Sequence, residues 1–263
     1  MRILIYIILC SVGNLCFGQY RVDYRVWHRV DSAISMEHTK PYDMSLYIKN
    51  AKHSVYISPL KVYNDSLDNI TKVESLGDLT LLMGRKKRGG QQREYIVANL
   101  ETQHIDQYLK VTSDWFKYST TVPRWKLVEE TKTIGTFICH KAITELSGRT
   151  YAVWYTEEIP ISAGPFKLMG LPGLVLFAED GTGDVKIELV AVQKSNKGIE
   201  DLNLMKENTS EIKNYKKLLE LTRASFYNRA HPQLYDSFDK KSKKQADERY
   251  EARVRKYNNF IER

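Results

Sequence analysis

Cys139 and His140 stand side by side, a thiol next to an imidazole, the two groups from which a nucleophile and its base can be made. Their adjacency works against that chemistry. Phe137-Ile138-Cys139-His140 reads as a strand, and neighbours on a strand point to opposite faces. Cys139 then shares a face with Phe137 and Ile143, the surroundings of a buried thiol. The six histidines, at 28, 38, 53, 104, 140 and 231, are dispersed, and no two have the spacing that puts metal ligands on one helix or strand. The acid pairs Glu129-Glu130 and Glu157-Glu158 diverge in the same way on strands, so neither sets two carboxyls across a scissile bond. Zinc-protease, serine-hydrolase, phosphate-loop, dithiol and calcium-loop patterns do not occur. The residues therefore assign no catalytic group, no metal ligand and no cofactor. A metal- or thiol-dependent site assembled from scattered His and Cys residues stays open as the alternative reading.

Positioning falls mainly to strands. Period-two segments recur at 45–49, 54–58, 94–98, 108–112, 150–155 and 185–190, rich in β-branched and aromatic residues and separated by turn chemistry. The 17 tyrosines suit half-buried strands whose rims meet water. The expected fold is mainly β, a curved antiparallel sheet (half-barrel or open sandwich) with a C-terminal helical pair. The first of those helices is expected to start at Asn208, with Glu211 completing a capping box, and to carry Ile212, Tyr215, Leu218, Leu219, Thr222 and Phe226. The second carries Ala246, Tyr250, Val254, Tyr257 and Ile261, and His231-Pro232 separates the two.

One segment is unusual. In residues 159–176, Pro160, Pro165, Pro172, Gly164, Gly170 and Gly173 interrupt an otherwise apolar run. Leu171-Pro172-Gly173-Leu174 has the composition of a type II turn, which predicts a positive φ at Gly173, and a buried strand follows from Leu174. Such a segment either plugs the end of a β core or presents a fixed apolar surface.

Gly170-Leu171-Pro172-Gly173-Leu174-Val175 resembles the signature of the GLPGLI family of secreted Bacteroidota proteins, with Val175 in place of the last isoleucine. The resemblance continues upstream through Cys139, Lys141, Arg149, Trp154, Tyr155, Pro160, Gly164 and Pro165. It implies a β-rich envelope protein of unestablished activity, and those positions carry over as family-motif residues, structural or binding. The ending at Tyr257 to Glu262 is only loosely similar to a common family terminus.

The charge is unevenly placed. Of the net +8, residues 206–263 supply +6 (15 Lys+Arg against 9 Asp+Glu), while residues 19–205 are close to neutral (24 against 23). Arg85-Lys86-Lys87-Arg88, ahead of Gly89-Gly90, reads as a loop tip. Residues 1–18 have the form of an export signal, Arg2 followed by a short apolar run ending at Cys16-Phe17-Gly18, too short to span a bilayer. Its removal would leave Cys139 as the one cysteine. The expected organisation is therefore a signal at 1–18, a β-rich domain at 19–200 and a basic helical extension at 201–263. The expected function is that of a non-catalytic envelope protein, periplasmic, outer-membrane-associated or extracellular, binding a hydrophobic ligand or an outer-membrane protein. The C-terminal helices are expected to favour an anionic lipid surface, and nucleic acid is not an expected partner.

Overall fold

The structure is a computed structural model, and it describes residues 19–87, 93–111, 114–195, 198–202, 204, 209–227 and 238–256. The signal-like segment, Asn208, the His231-Pro232 break and the Tyr257 to Glu262 ending lie outside the described residues.

Among the described residues twelve strands form one open sheet: β1 Gln19–His28, β2 Tyr42–Lys49, β3 His53–Ile57, β4 Glu94–Asn99, β5 His104–Val111, β6 Asp114–Thr121, β7 Lys126–Ile134, β8 Phe137–Leu146, β9 Arg149–Thr156, β10 Leu174–Asp180, β11 Val185–Lys194 and β12 Thr209–Ile212. Their spatial order is β12-β6-β5-β4-β3-β2-β1-β11-β10-β9-β8-β7. Two sequential meanders thus meet where β1 pairs with β11, and β1 ties the early half of the sheet to the late half. All pairings are antiparallel except β12 with β6. The mainly β expectation holds, as a single sheet that stays open between β12 and β7.

The hairpins follow from local chemistry. Asn50 and Ala51 both take positive φ between β2 and β3, as do Ser147 and Gly148 between β8 and β9. Two successive positive values give the mirror-image turn whose twist matches the flanking strands.

Both faces of the sheet are covered. On one face Val22, Tyr24 and Val26 of β1 align with Met44, Leu46, Tyr56, Ile96, Val153, Ala178 and Ile187 in a single core. On the other, Tyr47, Val55, Ile57, Tyr95 and Trp115 form a second cluster with Leu202. Each fully buried aliphatic side chain contributes roughly 1.5–3 kcal/mol, so period-two alternation is what holds the register.

Among the described residues four α-helices occur: α1 Pro59–Ile70, α2 Leu76–Arg85, α3 Tyr215–Tyr227 and α4 Lys240–Lys256. The first two were not expected in a β body, and they convert the Arg85 loop tip into the end of α2. Their signals are nonetheless local. Pro59 occupies the first turn of α1, and Ser75 with Asp78 forms a capping box at α2. The C-terminal helical pair is present as α3 and α4, which pack together. Its start is corrected, however: Glu211 lies in β12, and the cap is Asn214, whose Oδ1 accepts the Lys216 N–H at 2.8 Å. Tertiary pairing of 209–212 with β6 overrides the helical periodicity that runs through Ile212. Leu218 of α3 is buried against Leu109 and Ile212.

Candidate ligand-binding site

The proline- and glycine-rich segment is a strap laid over the β1–β4 and β8–β11 core. Ile161, Ala163, Phe166, Leu168, Met169 and Leu171 are buried in that core, whereas Pro160 and Pro172 are exposed. The strap is tied down by its backbone. Leu174 N–H donates to Ile159 O at 3.1 Å, Val175 N–H to Ala163 O at 3.0 Å, and the Trp125 indole to Met169 O at 2.9 Å. Pro165 is buried, and the next residue, Phe166, is held at φ 55°.

Two motif glycines are there for space. A Cβ on Gly164 would stand 2.0 Å from Leu168 O, and one on Gly173 would stand 2.0 Å from Thr156 O. The predicted positive φ at Gly173 is not found; the left-handed glycine is Gly170, at φ +98° beside Val122. Gly173 is required because the entry to β10 runs against the backbone at the end of β9, which no side chain could share. Of the two roles open to this segment, its buried side chains favour the plug. A cavity at one end of it, between Val26, Tyr42, Met44, Tyr56, Glu94 and Phe166, measures about 30 Å³, room for roughly one water.

The remaining motif positions lie in β8, β9 and β10. Arg149, at the start of β9, donates to Asp180 at the end of β10 and lies 3.4 Å from Asp184, which also pairs with Arg29. Burial by itself would raise the Asp180 carboxyl. The Thr182 hydroxyl, the Val185 N–H, the Arg149 guanidinium and the Asp184 N–H together outweigh it and hold Asp180 below the ordinary carboxylate value. This network closes the β10–β11 hairpin.

Trp154 and Lys141 are directly paired across β8 and β9. Lys132 stands over the rings of both Trp154 and Phe177, at 4.2 and 4.3 Å from their centroids, while Lys141 pairs with Glu130 at 2.9 Å. Tyr155 packs on His140. Leu174 opens β10 inside the main core.

Cys139 is 0% exposed, and its thiol is pushed up chiefly by that burial. Both effects work against a thiolate nucleophile. His38 contacts Ser35, His104 contacts Asp106 and His140 contacts Tyr155. Among the described residues no three His, Cys, Asp or Glu side chains gather as a metal-binding set.

Sequence reasoning missed a roomy cleft. It has a volume of about 530 Å³ and lies on the face opposite the strap, between β4–β6 and residues Ile199, Glu200, Leu202 and Leu204. Tyr95 and Tyr108 are directly opposite each other on β4 and β5, and their rings stack at 4.7 Å and 8°. Val97, Leu202, Leu204 and Lys117 complete the wall. Burial raises the pKa of both phenols, Tyr95 more strongly, so at neutral pH they are hydrogen-bond donors. Tyr95 donates to Leu204 O, which fixes the cleft's far wall. The Tyr108 hydroxyl has no hydrogen-bond partner among the described residues. The volume is in the range of small-molecule sites, and the lining, apolar with a few polar groups, is what such sites use. Alternation at Tyr95, Val97 and Tyr108 was legible, but the covering segment is distant in sequence.

A family model described as "N-glycanase peptide, N-terminal domain" matches residues 96–217, which include the strap. Its description does not name the family that the Gly170 to Val175 motif resembles. Two crystal forms of PNGF-II are similar over 78% and 79% of this chain, with 16% and 18% identity and TM-scores of 0.52 and 0.54. The likeness is one of fold. The chain spans about a third of PNGF-II, covering 33% and 34% of its length. A LolA superfamily protein from Nitrosomonas europaea is matched over 71% of this chain and 90% of its own, at 7% identity and a TM-score of 0.31. No curated protein matches the sequence. No helix among the described residues is long and apolar enough to cross a membrane.

Proposed function

We propose that this chain is a non-catalytic GLPGLI-type envelope protein, exported by its first 18 residues, which binds an apolar ligand or an apolar segment of an outer-membrane protein in the Tyr95–Tyr108 cleft. The observation that carries the reading is the contrast between the two faces. Among the described residues, the cavity beside Phe166 of the strap holds about 30 Å³, and the other face has an aromatic-walled cleft of about 530 Å³. The burial of Cys139 weighs against the thiol-dependent form of the alternative. The test is native mass spectrometry of protein purified from its own envelope, wild type beside Tyr108→Ala and Leu202→Asp. A co-purifying lipid, apolar small molecule or membrane protein that is depleted in both variants supports the proposal. Absence of any adduct from wild type, or equal retention in all three proteins, overturns it.

A glycan is a second reading, favoured by the match to a family whose description names an N-glycanase. The same comparison, run with free oligosaccharides, separates it: sugar binding that depends on Tyr108, with no apolar adduct, favours this reading over the first.

A further inference from the structure

The cleft sets two hydrogen-bond donors beside an apolar wall. Tyr108 on β5 and Lys117 on β6 are direct partners in the register, and both line the cleft. Direct partners across an antiparallel ladder share a face, so the phenol and the ammonium rise side by side from the sheet. Val97, Leu202 and Leu204 supply the apolar wall.

The fold uses up neither donor. The Tyr108 hydroxyl has no hydrogen-bond partner among the described residues, and burial, helped by the charge of Asp106, keeps its proton in place. Lys117 has one charged contact among the described residues, Asp106 at 3.9 Å, which is beyond hydrogen-bonding reach. The nearby acids are committed elsewhere or face solvent. Asp106 accepts the Ser119 hydroxyl and stands 3.1 Å from His104 Nε2. Glu200 accepts from Lys49 at 3.0 Å and from Gln19 at 3.3 Å. Glu211, opposite Lys117 on β12, is exposed and forms no ion pair with it. What the cleft lacks is therefore an acceptor, and an otherwise apolar ligand that brings one satisfies both donors at once. A plain hydrocarbon would cover the two donors and cost them their hydrogen bonds to water.

We propose that the occupant of the cleft is an apolar chain ending in a carbonyl-type oxygen, a carboxylate or an ester, with that oxygen held by the Tyr108 O–H and the Lys117 ammonium and the chain laid against Val97, Leu202 and Leu204. The assignment rests on the cleft being the binding site.

The experiment is native mass spectrometry of the full-length chain titrated with dodecanoate, methyl dodecanoate and dodecyltrimethylammonium, which share one chain and of which the last has no acceptor. Wild type is expected to bind the two acceptor probes more tightly than the ammonium probe. Tyr108→Phe, which keeps the ring, is expected to weaken both acceptor probes by about fivefold, the equivalent of one hydrogen bond of roughly 1 kcal/mol. Lys117→Met, which keeps an apolar stem, is expected to weaken dodecanoate more than the ester, since a hydrogen bond between charged partners is the stronger. Both positions are partly exposed, and unchanged thermal unfolding of the variants confirms an intact fold. Dodecanoate held more tightly than the ester identifies a free carboxylate as the head, and the reverse an esterified chain; either supports the proposal when both variants erode the margin over the ammonium probe. Equal binding of all the probes to wild type, or a margin that survives in both variants, overturns the proposal and leaves the cleft a plain apolar site. Preference for the ammonium probe overturns it as well and assigns the head to the acids around the cleft. Binding of none of them overturns it together with the reading of the cleft on which it rests.

Discussion

Arg149 and Asp180 face each other from neighbouring strands, each with a side chain only 1% exposed, and join β9 to β10 by a charge-assisted hydrogen bond in the protein interior. Removing Arg149 leaves the buried Asp180 carboxylate without its opposite charge, and breaking such a pair costs roughly 3–5 kcal/mol. Arg149→Met is therefore expected to lower the denaturant midpoint severely. Arg149→Met with Asp180→Asn is expected to recover part of the loss, because the buried charge is gone while the amide oxygen still accepts the Asp184 and Val185 N–H groups. Equilibrium urea unfolding of the single and double variants checks both.

The same carboxyl makes stability depend on pH. A group held below its ordinary value binds a proton less readily in the folded chain than in the unfolded one. Its contribution is complete above the unfolded value of about 3.9 and is lost as the pH falls through the lower, folded value. Wild type is expected to lose stability on acidification below about pH 4, and Asp180→Asn to lose less over the same interval. Thermal melts from about pH 7 down to about pH 2, spanning both values, measure the difference.

Gly173 discriminates between two explanations of the motif. Were it a left-handed turn residue, Asn would be tolerated far better than Ala. Because the obstacle is Thr156 O at 2.0 Å from any Cβ, Gly173→Asn and Gly173→Ala are both expected to destabilise, by on the order of 1–3 kcal/mol or more. Comparable losses in thermal stability confirm a steric cause, and a neutral Asn variant contradicts it.

Cys139 is expected to resist thiol reagents in the native protein and to react stoichiometrically once unfolded, since burial both covers it and raises its pKa. Labelling kinetics with and without denaturant give the answer directly.

At α3, Asn214→Ala removes the side-chain acceptor of the Lys216 N–H and is expected to cost about 1 kcal/mol, whereas Asn214→Ser or Asn214→Asp is expected to cost little. Hydrogen exchange in the first turn of α3 gives the local reading.

What could be read in advance depended on how local the cause was. The Tyr95, Tyr56 and Val153 strands were legible because alternation is a property of consecutive residues. The motif segment was legible as a rigid apolar feature, but the reason for Gly173 was not, since its neighbour Thr156 comes from another strand. Ile212 has helical spacing with Tyr215 and Leu218, yet the open edge of β6 recruits residues 209–212 as β12. The α1–α2 hairpin was overlooked even though the Ser75-x-x-Asp78 signal was present. Leu76, Leu79 and Met83 of α2 are exposed, so no buried face reports the helix. The cleft was invisible for the opposite reason, as its two walls are far apart along the chain: the Tyr95 hydroxyl meets Leu204 across a separation of 109.

An open sheet has to end somewhere, and β7 shows how this one ends. Its register slips between Val128 and Thr131, and Lys126, Glu129 and Glu130 leave it mostly exposed and charged. A bulged, charged margin is a poor template for another chain's strand. At this margin the unclosed layer of twelve strands therefore disfavours strand addition, a brake on fibre growth that resides in the least conspicuous strand of the fold.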